Sequence, residues 1–164
     1  MPFLKNKRNL VFALLSLGWM GLIFSLSAQS GEVSQSLSEE TAWTAFLLFL
    51  PGFKEMSTAQ QQLWIESIQF ALRKGAHFCL YAVLAMLLAG AFWNRERPFF
   101  KTARSAWGTA TLYAAVDELH QLLVPGRSGE VRDILIDSAG AAAGLLFCAA
   151  VLWIAKKAAR NRAA

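Results

Sequence analysis

Hydrophobic residues are concentrated in four long runs that few polar positions interrupt. The runs cover residues 9–27, 74–93, 103–124 and 133–155. Because a helix needs roughly 20 predominantly apolar residues to cross a bilayer, each run predicts a transmembrane helix. The first run also has the layout of a secretory signal peptide, but its length favours a retained span. We therefore expect an all-α fold, a polytopic membrane bundle of four transmembrane helices that forms a single domain over residues 1–164.

The connection between the first two runs, residues 28–72, has a different pattern. Residues 42–50 are apolar but too few to span a bilayer, which favours an interfacial or re-entrant helix. Apolar positions in 63–72 recur at three- and four-residue intervals, and Ser57 or Thr58 is a suitable N-cap for that segment. We expect this connection to be partly helical, with its second helix continuing into the second span without a break.

Composition and charge support a membrane location and define a topology. The chain is 55% hydrophobic and 16% charged, whereas soluble domains carry about 25% charged residues. Eleven of the sixteen basic residues, with only one acidic residue, fall at the N-terminus, between the second and third runs, or at the C-terminus. They are Lys5, Lys7, Arg8, Arg95, Arg97, Lys101, Arg104, Lys156, Lys157, Arg160 and Arg162.

By the positive-inside rule, this distribution places the N-terminus and the C-terminus in the cytoplasm. The connections 28–72 and 124–132 are then extracytoplasmic. The net charge of +5 is explained by topology, so we expect no nucleic-acid partner.

Polar and ionisable residues enter the runs near their extracytoplasmic ends, where charged groups are costly unless they are paired or functional. In the second run, Lys74, His77 and Tyr81 have i, i+3 and i+7 spacing, which places them on one helical face. Arg73 suits a side chain that reaches headgroup phosphates. The first run ends with the polar residues Ser25, Ser27 and Gln29.

The third and fourth runs form a hairpin that carries most of the ionisable residues. Pro125-Gly126 predicts the turn between them, because Pro presets φ and Gly tolerates a positive φ. The polar residues around this turn are Asp117, Glu118, His120, Gln121, Arg127, Asp133 and Asp137. Gly140 and Gly144 lie below the two aspartates of the fourth run on the same face, a small-xxx-small surface suited to close helix contact.

This polar layer has three alternative interpretations. It could be a scaffold in which the charges neutralise one another as buried ion pairs. It could bind a divalent metal or perform acid–base chemistry, although Glu118-x-His120 is not a known metal signature. It could bind an anionic ligand through Lys74 and Arg127, since arginine contacts phosphate and carboxylate groups in a bidentate manner. We expect no metal and no cofactor.

The candidate residues divide into two groups by their side-chain chemistry. The candidate acid–base, or catalytic, residues are His77, Glu118 and His120. The candidate ligand-binding residues are Lys74, Tyr81, Asp117, Gln121, Arg127, Asp133, Asp137 and Ser25.

The same residues also carry a family resemblance. The motifs are Arg73-Lys-x-Ala-His-Phe78 with Tyr81, Asp117-Glu-x-His-Gln121, Pro125-Gly-Arg127, Asp133-x-x-x-Asp137 with Gly140, and Phe24-Ser25. Over about residues 10–150 the chain resembles the VanZ-like family of small bacterial membrane proteins, while residues 30–65 carry no matching motif. The family's namesake is associated with resistance to the glycopeptide teicoplanin. The resemblance implies a multi-pass protein of the bacterial cytoplasmic membrane with a role in the cell envelope, and it does not imply a reaction.

The leading functional hypothesis is an outer-leaflet polar site that binds a cell-envelope ligand, lipid-linked or peptide, and so influences glycopeptide susceptibility or envelope processing. The alternative is a membrane-embedded hydrolase or transferase that acts on a lipid phosphate or a cell-wall precursor. The expected partners are membrane lipids together with a lipid-linked cell-wall precursor, a phospholipid headgroup or a glycopeptide. The sequence does not define an oligomeric state.

Overall fold

The computed structural model describes residues 7–163, and over these residues every regular element is helical. The elements are α1 (Lys7–Ser27), α2 (Gly31–Phe49), a 3-10 turn (Phe53–Glu55), α3 (Thr58–Ala91), α4 (Phe99–Gln121) and α5 (Val131–Ala163). The expected all-α fold is confirmed. Lys5, one of the basic residues assigned to the cytoplasmic side, lies outside the described residues.

Among the described helices, α1, α3 and α5 contain stretches that are long and apolar enough to cross a membrane. They correspond to the first, second and fourth predicted spans. α4 corresponds to the third predicted span, 103–124, but it begins at Phe99, ends at Gln121 and is not among the three apolar helices. Membrane-spanning helices are therefore supported, and α4 as a fourth span stays a prediction.

The main helix contact joins α3 to α5, and two glycines of α5 allow it. A Cβ at Gly140 would collide with the carbonyl oxygen of Phe78, and a Cβ at Gly144 would collide with that of Ala82. The predicted small-xxx-small surface therefore lies at a close helix contact. α4 packs beside this pair through a buried stripe with four-residue spacing, Thr102, Ala106, Ala110 and Ala114.

α3 is longer than a membrane span requires. Its 34 residues extend about 51 Å at 1.5 Å per residue. Ser57, one of the two residues predicted as the N-cap, caps the N-terminus of α3 in a capping box with Gln60. The expected continuation of this helix into the second span is confirmed, because α3 runs without a break to Ala91.

The connection 28–72 forms a helical hairpin from α2 and the N-terminal half of α3. α2 begins at Gly31, well before the apolar segment 42–50, so the connection is more helical than its sequence predicts. The two arms pack around a second, smaller core of Ala42, Phe53 and Ile65. This hairpin begins beside the polar layer, which gives it a part in the candidate site.

Candidate functional site

The polar layer lies where α1 and α4 end, α2 and α5 begin, and α3 passes through. Residues of α2, α3, α4 and α5, with the turn between α4 and α5, line a cavity of about 260 Å³, which we call the polar cavity. Its lining residues are Gly31, Glu32, Ser34, Gln35, Arg73, Lys74, His77, Gln121, Gly126, Arg127, Ser128, Glu130 and Asp133. The first four belong to α2, a segment for which the sequence offered no function.

The turn between α4 and α5 fixes one wall of the polar cavity. Gly126 has a φ of 72°, a left-handed conformation that glycine adopts without steric cost. The backbone N–H of Gly31 donates to the carbonyl oxygen of Pro125 at 3.0 Å. A Cβ at Gly31 would collide with the carbonyl group of Gly126. The start of α2 is therefore held directly against the turn.

Arg127 is positioned by the same junction. Its Nε donates to the carbonyl oxygen of Gln29, in the link between α1 and α2, at 3.2 Å. Burial lowers the pKa of the Arg127 guanidinium, and the positive charge of Arg73 acts in the same direction. Arginine stays protonated in proteins, so this pKa direction marks a partly desolvated guanidinium with a second cation near it, while Asp117, Glu118 and Asp133 act in the opposite direction.

Arg73 also lines the polar cavity, and its side chain is half-buried. Neither Arg73 nor Arg127 forms an ion pair with a carboxylate in residues 7–163. The expectation that Arg73 reaches toward headgroups missed this lining position. Its i, i+4 spacing from His77, another lining residue, was the feature of the sequence that could have revealed it.

Lys74 has a different environment from its neighbour in the sequence. It forms a salt bridge with Asp133 at the start of α5, and both side chains are largely buried. This pair connects α3 to α5. Lys74 lines the polar cavity, but its charge is already neutralised by a carboxylate.

His77 and Asp137 are brought together by the α3–α5 contact. Nδ1 of His77 lies 3.7 Å from Oδ1 of Asp137, a distance suited to an ion pair but longer than a normal hydrogen bond. His77 lines the polar cavity, and Asp137 is fully buried outside its lining. Neither carboxylate oxygen of Asp137 has a hydrogen-bond donor in the described part of the chain.

Tyr81 is fully buried one turn below His77 and does not line the polar cavity. Its hydroxyl has no hydrogen-bond partner within residues 7–163. The expected Lys74–His77–Tyr81 face exists, but only its upper part reaches the polar cavity.

Glu118 holds the segment that leads into α5. Its Oε2 accepts a hydrogen bond of 2.9 Å from the backbone N–H of Glu130. Nε2 of Gln121 lies 3.3 Å from Glu118 Oε1 and 3.4 Å from Asp117 Oδ2. Of these residues, Gln121 and Glu130 line the polar cavity, while Asp117 and Glu118 lie behind it. The contacts of Glu118 are those of a positioning residue.

Ser27, and not Ser25, connects α1 to this layer. The Ser27 hydroxyl donates to Asp117 Oδ2 at 2.7 Å, and both side chains are buried. Ser25 is exposed, and its hydroxyl donates back to the carbonyl oxygen of Gly21. Ser27 shares the buried face of α1 with Ile23, four residues earlier, so helical spacing could have identified it.

His120 lies away from the polar cavity. Its ring stacks on Phe24, with ring centroids 4.1 Å apart. It is half-buried and absent from the cavity lining. The two histidines that the sequence placed in one site are therefore in different environments.

The described side chains do not assemble a metal site. Over residues 7–163, no group of three or more His, Cys, Asp and Glu residues is arranged to hold a metal ion. The chemistry available at the polar cavity is that of guanidinium, ammonium, carboxylate, imidazole and amide groups.

Comparison with protein-family models finds a match over most of the chain. The model of the VanZ/LLP1 family matches residues 12–154. The chain belongs to the VanZ/LLP1 family. The VanZ/LLP1 match begins in α1 and ends in α5, so it includes the α2–α3 hairpin and every residue that lines the polar cavity. The family predicted from the sequence motifs is confirmed. No curated protein and no solved structure matches this VanZ/LLP1 chain.

Proposed function

We propose that this VanZ/LLP1 protein binds an anionic group of a cell-envelope ligand, lipid-linked or peptide, in the polar cavity. Such binding would influence glycopeptide susceptibility or envelope processing. The observation that carries this proposal is the pair Arg73 and Arg127, which line one cavity without a carboxylate ion-pair partner in residues 7–163. Two guanidinium groups so arranged suit a phosphate or a carboxylate, which each can contact in a bidentate manner.

Arg73 and Lys74 differ in their ion pairing, and this difference supports the same proposal. Lys74 is neutralised by Asp133, so it contributes structure more than attraction for an anion. Arg73 and Arg127 form no ion pair with a carboxylate in residues 7–163, and they lie at a partly desolvated position, where electrostatic attraction is stronger than in water. In this proposal Arg73 takes the anion-binding role that the sequence assigned to Lys74.

The proposed membrane placement puts the polar cavity in the outer leaflet. α4 would be the fourth span, with its alanine stripe facing the bundle and both termini in the cytoplasm. The basic residues of the α3–α4 loop and the C-terminal part of α5 support this orientation through the positive-inside rule. An anion reaching the cavity from that side would be an extracytoplasmic lipid headgroup or a cell-wall precursor.

A second candidate function is a hydrolase or transferase that acts on a lipid phosphate or a cell-wall precursor. The observation that favours it is the pairing of His77, in the cavity lining, with Asp137 buried behind it. A carboxylate behind a histidine orients the imidazole for acid–base catalysis. Two arginines beside that imidazole would stabilise charge on a transferring phosphoryl group.

The test uses the full chain purified from bacterial membranes in a mild detergent, with bound lipids identified by mass spectrometry. We expect the wild-type protein to retain an anionic lipid or precursor that the double variant Arg73→Gln/Arg127→Gln loses. Arg132→Gln is the matched control, because Arg132 is exposed, stacks over Phe70 and does not line the cavity. Equal retention by both variants would contradict the anion-binding proposal.

Turnover separates the two candidate functions. Incubation of the purified protein with the retained species should leave it unchanged if the protein only binds. Release of phosphate or a transferred group, abolished by His77→Asn without loss of binding, would instead establish the hydrolase or transferase.

A further inference from the structure

The polar cavity contains free carboxylates as well as free guanidinium groups. Glu32, in the first turn of α2, and Glu130, just before α5, line the cavity and are exposed. Arg73 and Arg127 line it as half-buried side chains. The two glutamates are therefore more accessible to solvent than the two arginines of the same cavity.

The glutamates are as free of ion-pair partners as the arginines. Neither Glu32 nor Glu130 takes part in a salt bridge within residues 7–163. Within the described part of the chain, the Glu130 carboxylate accepts one long hydrogen bond, 3.4 Å, from the Ser128 hydroxyl. The two sets of charges line the same cavity without neutralising each other.

Asp133 adds a further unsatisfied acceptor to the cavity wall. It is only 8% exposed, and its carboxylate pairs with Lys74 through Oδ2. Its Oδ1 has no hydrogen-bond donor in the described residues. A buried acceptor without a donor is destabilising, so a ligand that brings a hydrogen-bond donor to Asp133 Oδ1 would remove this cost.

We infer that the ligand is a zwitterion, with an anionic oxygen group and an ammonium group close together in one headgroup. This inference rests on the proposed function and specifies its ligand class. The anionic group would contact Arg73 and Arg127, and the ammonium group would lie among the carboxylates of Glu32, Glu130 and Asp133. An ammonium group has three hydrogen-bond donors and no acceptor, so carboxylate oxygens are suitable partners for it.

The balance of charges in the cavity explains why a purely anionic or a purely cationic ligand should bind less well than a zwitterion. Among the described residues, three cationic side chains, three carboxylates and His77 line the cavity. A purely anionic ligand would be attracted by the arginines and repelled by the glutamates, and a purely cationic ligand would meet the reverse. Repulsion of this kind is how a site discriminates against close analogues. A zwitterion satisfies both sets and leaves the balance unchanged.

Phosphoethanolamine has this chemistry, and it occurs both free and as the headgroup of a membrane lipid. The first measurement compares binding of phosphoethanolamine and glycerol 3-phosphate to the full chain in detergent by isothermal titration calorimetry. We expect roughly fivefold tighter binding of phosphoethanolamine, the effect of one or two exposed ion pairs. Wild-type binding of glycerol 3-phosphate that equals or exceeds that of phosphoethanolamine would overturn the zwitterion inference and leave the anion site standing. Absence of binding for both probes would overturn both proposals.

Two double variants test whether Glu32 and Glu130 contact the ammonium group of the ligand. Glu32→Gln/Glu130→Gln should lose the preference for phosphoethanolamine, mainly through tighter binding of glycerol 3-phosphate. Glu55→Gln/Glu66→Gln is the matched control, because these two exposed glutamates lie on the hairpin outside the cavity lining. Unchanged preference in the first double variant, with melting like that of the wild type, would also overturn the inference.

Nanodiscs distinguish the two sources of the zwitterion. The chain is reconstituted in phosphatidylglycerol alone or in phosphatidylglycerol with phosphatidylethanolamine, and soluble phosphoethanolamine is titrated into each. Weaker apparent binding in the presence of phosphatidylethanolamine would support a lipid headgroup as the occupant. Equal binding in the two membranes would support a free zwitterion of the same class.

Discussion

The backbone N–H of Gly31 donates a hydrogen bond of 3.0 Å to the carbonyl oxygen of Pro125. This bond joins the start of α2 to the turn between α4 and α5. It brings Glu32 of α2 and Arg127 of the turn to the lining of one cavity. The α2–α3 hairpin is thereby part of the candidate site.

Replacement of Gly31 should separate α2 from the turn. Gly31→Ala places a methyl group where it would collide with the carbonyl group of Gly126, so α2 must shift and binding in the polar cavity should fall at least tenfold. Gly75→Ala is the control, because a Cβ there meets no described atom within 4 Å apart from its own stretch of helix. The measurement is ligand affinity in detergent alongside a melting curve. Wild-type affinity for Gly31→Ala would show that the junction does not shape the cavity.

The two serines near the end of α1 should differ in their contribution to stability. Ser27→Ala leaves a buried Asp117 oxygen without its closest donor, which should lower the free energy of unfolding by about 1–3 kcal/mol. Ser25→Ala removes only an exposed bond to Gly21 and should change the free energy of unfolding by less than about 0.5 kcal/mol. Melting of both variants in one detergent makes the comparison. Equal effects would mean that α1 does not direct Ser27 toward Asp117.

Lys74 and Asp133 should behave as a structural pair. Lys74→Met removes one partner of a largely buried salt bridge and should lower the free energy of unfolding by about 3–5 kcal/mol, because it leaves an uncompensated carboxylate. The double variant Lys74→Met/Asp133→Leu should recover much of that stability, since apolar pairs often replace buried ion pairs at little cost. A double-mutant cycle on melting measures the coupling. If Lys74→Met alone lowers the free energy of unfolding only slightly, Lys74 is not a structural partner of Asp133 and is available to bind an anion.

The topology can be tested with single cysteines in a background that lacks Cys79 and Cys148. Ser128→Cys, in the turn region beside the cavity, should react with an impermeant thiol reagent in whole cells. Asn94→Cys, in the α3–α4 loop, should react only after the membrane is made permeable. Labelling of Asn94→Cys in intact cells would place the polar cavity on the cytoplasmic side.

The sequence by itself determined the features that depend on local pattern. Long apolar runs predicted the helices, because length and hydropathy decide whether a segment can cross a bilayer. Ser57 and Pro125-Gly126 predicted a cap and a turn, since both depend on a few adjacent residues. Gly140 and Gly144 predicted a close helix contact through their spacing alone. The motifs around Arg73, Asp117, Arg127 and Asp133, with Phe24-Ser25, together predicted the family.

Only the tertiary structure decided which polar side chains meet. Adjacent helical residues point about 100° apart, so the position of a neighbouring helix determines which one it contacts. Asp133 of α5 pairs with Lys74 and leaves Arg73 without an ion pair in residues 7–163. Asp117 of α4 accepts from Ser27, while Ser25 is exposed. His120 was separated from His77 because it packs on Phe24 of α1. The place of α2 depends on a backbone contact between Gly31 and Pro125, and backbone contacts between distant segments leave no periodic pattern in a sequence.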